Sequence, residues 1–146
     1  MRVPVLLAAL VAVCTLAGGA AWACSCVRYD SAAQQLAEAD VMFVGRMTSF
    51  SNHAMGDDYP HAMHMTRFEV RRTIKGQALP TRAVMHATDE ALCGVRFSAD
   101  RDYTILARLQ DGVLTTSACH APQFPIADYE RAARAGEGRE AVGSRQ

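Results

Sequence analysis

The chain has 146 residues, 50% of them hydrophobic, with 15 basic and 15 acidic side chains and a formal net charge of zero. That length allows one domain of ordinary size. A zero balance excludes a broad electrostatic nucleic-acid binder, which needs a basic excess to neutralise phosphates, and a polybasic membrane-surface protein.

The start of the chain inflates the apolar fraction. Arg2 is followed by an apolar run over residues 3–17, then small residues, then Ala21-Trp22-Ala23. A charged start, an apolar stretch and an A-x-A site read as a secretory signal peptide over residues 1–23, cleaved before Cys24. The run is short for a transmembrane span, so no stable membrane insertion is expected after cleavage. A lipoprotein signal is the rival reading because Cys24 follows the junction, but Ala21 and the bulky Trp22 fit a lipobox badly. Cleavage leaves 123 residues with 14 basic and 15 acidic side chains, a net charge of −1. A secreted or periplasmic location is expected.

Ser31-Ala32-Ala33-Gln34 has the form of a capping box and opens a short helix that continues to Ala39. Residues 40–50 are apolar on both parities, with Val41, Phe43 and Met47 against Met42 and Val44. They read as a central strand with a bend at Gly45. Residues 51–60, with Gly56, Asp57, Asp58 and Pro60, read as a loop. Residues 66–74 alternate, with Phe68 and Val70 inward and Arg67, Glu69 and Arg71 outward, and Lys75-Gly76 closes this half-buried strand. Residues 81–88 are a weaker strand around Ala83, Val84 and Met85. Residues 102–109 alternate through Tyr103, Ile105, Ala107 and Leu109. Asp111-Gly112 supplies a hairpin turn, and residues 113–118 return toward Cys119. A second helix is expected from Pro125, with Ile126, Tyr129 and Ala133 on one side and Gly136 as its stop. Residues 137–146 are polar and expected to form a flexible tail. The fold class is all-β with one or two short helices. Five antiparallel strands in so small a chain suggest a five-stranded Greek-key barrel of the OB type, and a small β-sandwich is the alternative.

Four cysteines remain after cleavage: Cys24, Cys26, Cys93 and Cys119. An even number in an exported chain reads as two disulfides. A bond across the single residue between Cys24 and Cys26 is strained. The pairs are then 24–93 with 26–119, or 24–119 with 26–93. In an extended segment alternate side chains point to opposite faces, so both cysteines can point into the body while Ser25 points out. The result is a rigid terminus with a free α-amine. That amine and the carbonyl of Cys24 form a five-membered chelate that a zinc ion with an open position could accept. The amine must be deprotonated, and a reference pKa of about 7.7–8.0 makes that inexpensive near neutral pH. A redox dithiol is disfavoured, because no helix follows at once to lower a thiol pKa.

These residues resemble a known family, the N-terminal, inhibitory domain of the tissue inhibitors of metalloproteinases, within the netrin-like superfamily. The matching pieces are Cys24-Ser25-Cys26, Ala39-Asp40-Val41, Lys75-Gly76, Asp89-Glu90-Ala91-Leu92-Cys93-Gly94, and Leu109-Gln110-Asp111-Gly112-Val113-Leu114 through Cys119. Their order and spacing agree from Cys24 to about Pro122. The resemblance implies a five-stranded OB-type barrel over residues 24–136, with disulfides Cys24–Cys93 and Cys26–Cys119. It implies no enzyme and no cofactor, but an inhibitor of zinc metalloproteases. Cys24 would chelate the protease zinc through its backbone and displace the attacking water. Ser25 would enter the adjacent specificity pocket. Cys26, Val27, Glu90, Ala91 and Leu92 would complete the protease-binding set. The third disulfide and the cysteine-rich second domain of the animal inhibitors have no counterpart in this sequence. The single-domain form and the excess of arginine over lysine suggest a bacterial source. A non-inhibitory netrin-like scaffold module of the cell envelope is the alternative.

His53, Met55, His61, Met63, His64 and Met65 form a further cluster in sequence. Imidazole and thioether together suit copper, and thioether selects Cu(I), so a periplasmic copper-binding module is a third reading. A solvent-facing polar loop, with Met63 and Met65 packing at the start of a strand, explains the same side chains. His86 and His120 have no partner legible in the sequence. OB barrels often bind oligonucleotides, but export and the net charge of −1 argue against nucleic acid here.

Overall fold

The computed structural model describes residues 24–53 and 63–143, with residue 53 and residues 137–143 described by backbone alone. The signal-peptide reading of residues 1–23, together with Met55 and His61, lies outside the described residues. Five strands close a barrel: β1 (Val41–His53), β2 (Met63–Lys75), β3 (Thr81–Ala87), β4 (Asp102–Gln110) and β5 (Val113–Thr115). They follow one another round the ring as β1-β2-β3-β5-β4, and the ring is not evenly round. Helix α1 (Ala32–Ala37) precedes the barrel and α2 (Ile126–Gly143) follows it. This is the expected OB-type order, and the sandwich alternative is set aside.

The sequence pattern explains the two cores. β1 pairs with β2 on one side and β4 on the other, which makes it the central strand its two apolar faces predict. Val41 and Phe43 point inside the barrel with Phe68, Val84, Ile105 and Ala107. Met42 points outward under the helices with Leu36, Ile74, Leu106 and Tyr129. Two strand faces are thus buried for different reasons, one by ring closure and one by a helical cover. The register of β1 against β2 shifts between Met42 and Phe43, Val44 and Gly45, and Met47 and Ser49, so the expected bend is distributed along the strand. The expected loop starts later than its composition suggests, because residues 51–53 continue β1 against residues 63–65 of β2.

α1 is capped as the sequence predicts. Ser31 Oγ accepts from the Gln34 amide at 3.2 Å, and the Gln34 side chain reaches back to the Asp30 amide at 2.9 Å. At its other end Lys75 Nζ donates to the carbonyls of Leu36 at 2.8 Å and Ala39 at 2.6 Å, placing a cation where the helix dipole is negative. Asp111 and Gly112 have φ of 49° and 81°, the pair of positive values that a two-residue hairpin turn requires. α2 differs from expectation, since its backbone stays helical through Gly136 to Gly143. A glycine inside a helix costs only about 1 kcal/mol against alanine, and the nearby Arg and Glu residues are good helix formers.

One pairing corrects the all-antiparallel reading. β3 and β5 run parallel, joined at Met85 and Thr115. Thr116 extends the contact by donating its amide to the Met85 carbonyl at 3.0 Å. Parallel neighbours leave a barrel at the same end. The chain beyond β3, leading to Cys93, and the chain beyond β5, leading to Cys119, therefore emerge side by side.

Candidate functional site

That shared exit is where the N-terminal segment is fastened. The Ala118 amide donates to the Cys93 carbonyl at 2.8 Å, which sets the two distal cysteines next to each other. Cys24 bonds to Cys93, with Cα atoms 5.6 Å apart, and Cys26 bonds to Cys119, with Cα atoms 5.0 Å apart. These are the pairs the family resemblance implies. They close spans of 69 and 93 positions.

Residues 24–29 belong to no strand or helix. They lie along the outside of the barrel end, so alternation does not bury both cysteines as expected. Cys24 is half-buried, and Ser25 and Cys26 are exposed. Val27 is 65% exposed. The segment is held at its far end by one side chain. Gln123 Nε2 donates to the Val27 carbonyl at 2.8 Å, and its Oε1 accepts from the Tyr29 amide at 3.1 Å.

The loop after β3 is built against Cys24. Asp89 caps a 3₁₀ turn over Glu90–Leu92, its Oδ1 accepting from the Ala91 amide at 2.9 Å. Its carbonyl accepts from the amides of Leu92 at 3.0 Å and Gly94 at 2.9 Å. Cys93 takes a left-handed conformation, φ 54°, which turns its side chain back toward the N-terminal segment. The Cys24 sulfur lies 3.6 Å from the Glu90 carbonyl oxygen. A disulfide sulfur has no proton to donate, so this is a packing contact. Glu90 and Ala91 are exposed and Leu92 is half-buried. Cys24, Ser25, Cys26, Val27, Glu90, Ala91 and Leu92 thus share one end of the molecule.

Gly94 makes the loop possible. A Cβ there would sit 2.5 Å from the Asp89 carbonyl oxygen and 2.6 Å from the Thr88 carbonyl carbon, both backbone atoms. Gly94→Ala is expected to destabilise the fold by about 1–3 kcal/mol, as overpacking does, and to move the amide resonances of Glu90–Leu92. Denaturant titration and amide NMR spectra check both. Unchanged loop resonances would show that the close approach does not shape the loop.

The His and Met residues are placed by strand alternation. In β2, His64 shares a face with the buried Thr66 and Phe68, and Met63 and Met65 lie on the other face. His64 Nδ1 is 2.9 Å from Asn52 Oδ1, which can only accept, and Nε2 is 3.1 Å from the Thr88 hydroxyl. Its ring stacks on Phe50 at 4.8 Å. Both imidazole nitrogens are therefore engaged within the protein. Among the described residues no group of three His, Cys, Asp or Glu side chains is placed to hold a metal ion. The side chain of His53 is not among those described.

His86, without a legible partner in the sequence, is a core residue 1% exposed. Nδ1 donates to the Ala87 carbonyl at 3.0 Å and Nε2 accepts from Thr66 Oγ1 at 2.7 Å. Burial pushes its pKa below the ordinary value, the Ala87 hydrogen bond opposing and the nearby His64 charge reinforcing that direction. Folded His86 thus binds a proton less readily than unfolded His86. Its contribution to stability is complete above the unfolded pKa of about 6.5 and is lost as pH falls from there toward the lower folded value, by at most about 1.4 kcal/mol per pH unit. Urea titrations at pH 7 and pH 5 are expected to show that loss. Equal stability at the two values would mean the buried ring is not held neutral.

Sequence reasoning missed Gln35 and Gln123. Gln35, inside the helix expected from Ser31 to Ala39, is 3% exposed and hydrogen-bonded at both ends of its amide. A polar residue outside a periodic run gives no sign of burial. Among curated proteins none matches the chain significantly. The family model for "tissue inhibitor of metalloproteinase" matches residues 22–131, well over half of the chain, and spans both disulfides, the barrel and the start of α2. The chain belongs to the tissue inhibitor of metalloproteinase family.

Proposed function

We propose that the exported, processed protein inhibits zinc metalloendopeptidases through its N-terminus. Family membership supports a metalloproteinase-inhibitor role at the level of the family. The observation that supports the finer reading is the double staple at Cys24 and Cys26, which holds Cys24 against the Glu90 carbonyl and leaves Ser25 between them exposed. Cleavage before Cys24 exposes an α-amine. That amine and the Cys24 carbonyl chelate the protease zinc in place of its catalytic water, which removes the nucleophile. Ser25 enters the pocket next to the metal, and Val27, Glu90, Ala91 and Leu92 rest on the surrounding rim. Disulfide tethering before binding reduces the ordering entropy lost on association.

The test is direct. Protein whose N-terminus is verified as Cys24 by mass spectrometry is assayed against a panel of zinc endopeptidases. Stoichiometric inhibition, competitive with a small zinc chelator, is expected for at least one. A panel left fully active by correctly processed, disulfide-bonded protein would overturn the reading.

A further inference from the structure

We infer that Gln123 is a positioning residue for the inhibitory edge, serving as a one-residue strand partner for residues 27–29. The inference rests on the proposed function for its consequence, although the clamp itself is testable without a protease. Two disulfides fix side chains at residues 24 and 26 but leave backbone rotations free around them. What fixes the course of the backbone is the Gln123 amide, which donates to the Val27 carbonyl at 2.8 Å and accepts from the Tyr29 amide at 3.1 Å. These are the two groups that a neighbouring β-strand would satisfy. The amide orientation is not arbitrary, because Val27 offers only an acceptor and Tyr29 only a donor.

The clamp is itself held from below. The backbone amide of Gln123 donates to Gln35 Oε1 at 3.1 Å and to the Tyr129 hydroxyl at 3.0 Å. Gln35 Nε2 donates to the Ala121 carbonyl at 2.9 Å, and the Tyr129 hydroxyl donates to Gln35 Oε1. Tyr129 is fully buried and Gln35 nearly so. A satisfied buried polar network of this kind has one low-energy arrangement, because each broken bond strands a desolvated group. α1 and α2 therefore do more than cover the barrel. They set where residue 123 stands, and residue 123 sets the direction in which Cys24 and Ser25 leave the body.

The experiment uses full-length processed protein with Gln123→Ala and Gln123→Glu. Gln123 is only half-buried, so both variants are expected to fold, which melting curves verify. In Q123A the Tyr29 amide is expected to exchange about 10-fold faster and residues 25–28 to lose NMR order, with both disulfides intact. Inhibition is expected to weaken about 10-fold, through a faster off-rate. Q123E supplies a readout that a merely structural role does not move. As a carboxylate it accepts from Tyr29 but cannot donate to Val27. As a carboxylic acid, below about pH 4.5, it can do both, so its order parameters should recover toward wild type as pH falls. Wild-type order in Q123A, or a Q123E defect independent of pH, would overturn the inference whatever the protease assays give. A wild-type protein that shows the Gln123-dependent order but inhibits no protease would overturn the proposed function and leave the clamp supported.

Discussion

A single alanine placed ahead of Cys24 is expected to raise the inhibition constant about 100- to 1,000-fold while shifting the melting temperature by no more than about two degrees. Insertion converts the chelating amine into an amide, whose nitrogen lone pair is delocalised and does not bind zinc. Apparent zinc binding of about 10–16 kcal/mol over four ligands puts one ligand at roughly 2.5–4 kcal/mol. The new amine lies about 3.5 Å farther out, beyond the Cys24 tether, so it cannot replace the old one without displacing Ser25 from its pocket. Stability is expected to hold because the contacts that pin the segment are made at Val27 and Tyr29 and by the two sulfur bonds, all downstream of the insertion. Undiminished inhibition by the extended protein would show that the α-amine is not the ligand. Lost inhibition together with a large fall in melting temperature would show that the insertion disturbed the fold instead.

The barrel was largely legible because its strands report their own faces. Residues 66–74 alternate and residues 40–50 are apolar on both sides, and the structure makes these β2 and the central β1. β4 departs from the alternation read for residues 102–109 by burying Ile105, Leu106 and Ala107 in succession and exposing Leu109. Periodicity says which face is buried and nothing about which strand lies alongside. The parallel β3–β5 pair was therefore invisible, more so because β5 is three residues long. Yet this pair does the most for the site, by sending Cys93 and Cys119 out of one end of the barrel. Cysteine spacing alone left two connectivities, and the family resemblance selected the one observed. The geometry supplies the reason. Gln123 holds Val27 and Tyr29 close to the chain that carries Cys119, so Cys26 is the nearer of the two to that partner, and Cys24 reaches across to Cys93. Gln35 and Gln123 stayed hidden because a buried amide network leaves no periodic trace in sequence.

Replacing Cys26 and Cys119 together by serine is expected to destabilise the protein by about 3–4 kcal/mol, lowering its melting temperature by roughly 10–20 °C. Taken alone, a span of 93 positions would give about 4.6 kcal/mol by loop-closure entropy. The two bonds are not independent, however. With Cys24–Cys93 intact, the route from residue 26 to residue 119 runs back to Cys24, across the sulfurs and on from Cys93, an effective loop of about 28 residues. Closing that shorter loop is worth about 3.6 kcal/mol. Each bond thus partly does the other's work in restricting the unfolded chain, and removal of both is expected to exceed the sum of the single removals by roughly 1 kcal/mol. The Cys26–Cys119 pair is the better one to delete for inhibition assays, since the other deletion replaces Cys24, the residue proposed to chelate the protease zinc. Residual inhibition in the double serine variant is expected to depend on Gln123, which then restrains the segment after Cys24 without the second sulfur bond. Denaturant titration of the two single-bond variants and the bond-free protein measures the coupling. If the two single losses add to the full loss, the bonds constrain separate parts of the unfolded chain, and the view of the N-terminus as one jointly tethered unit fails.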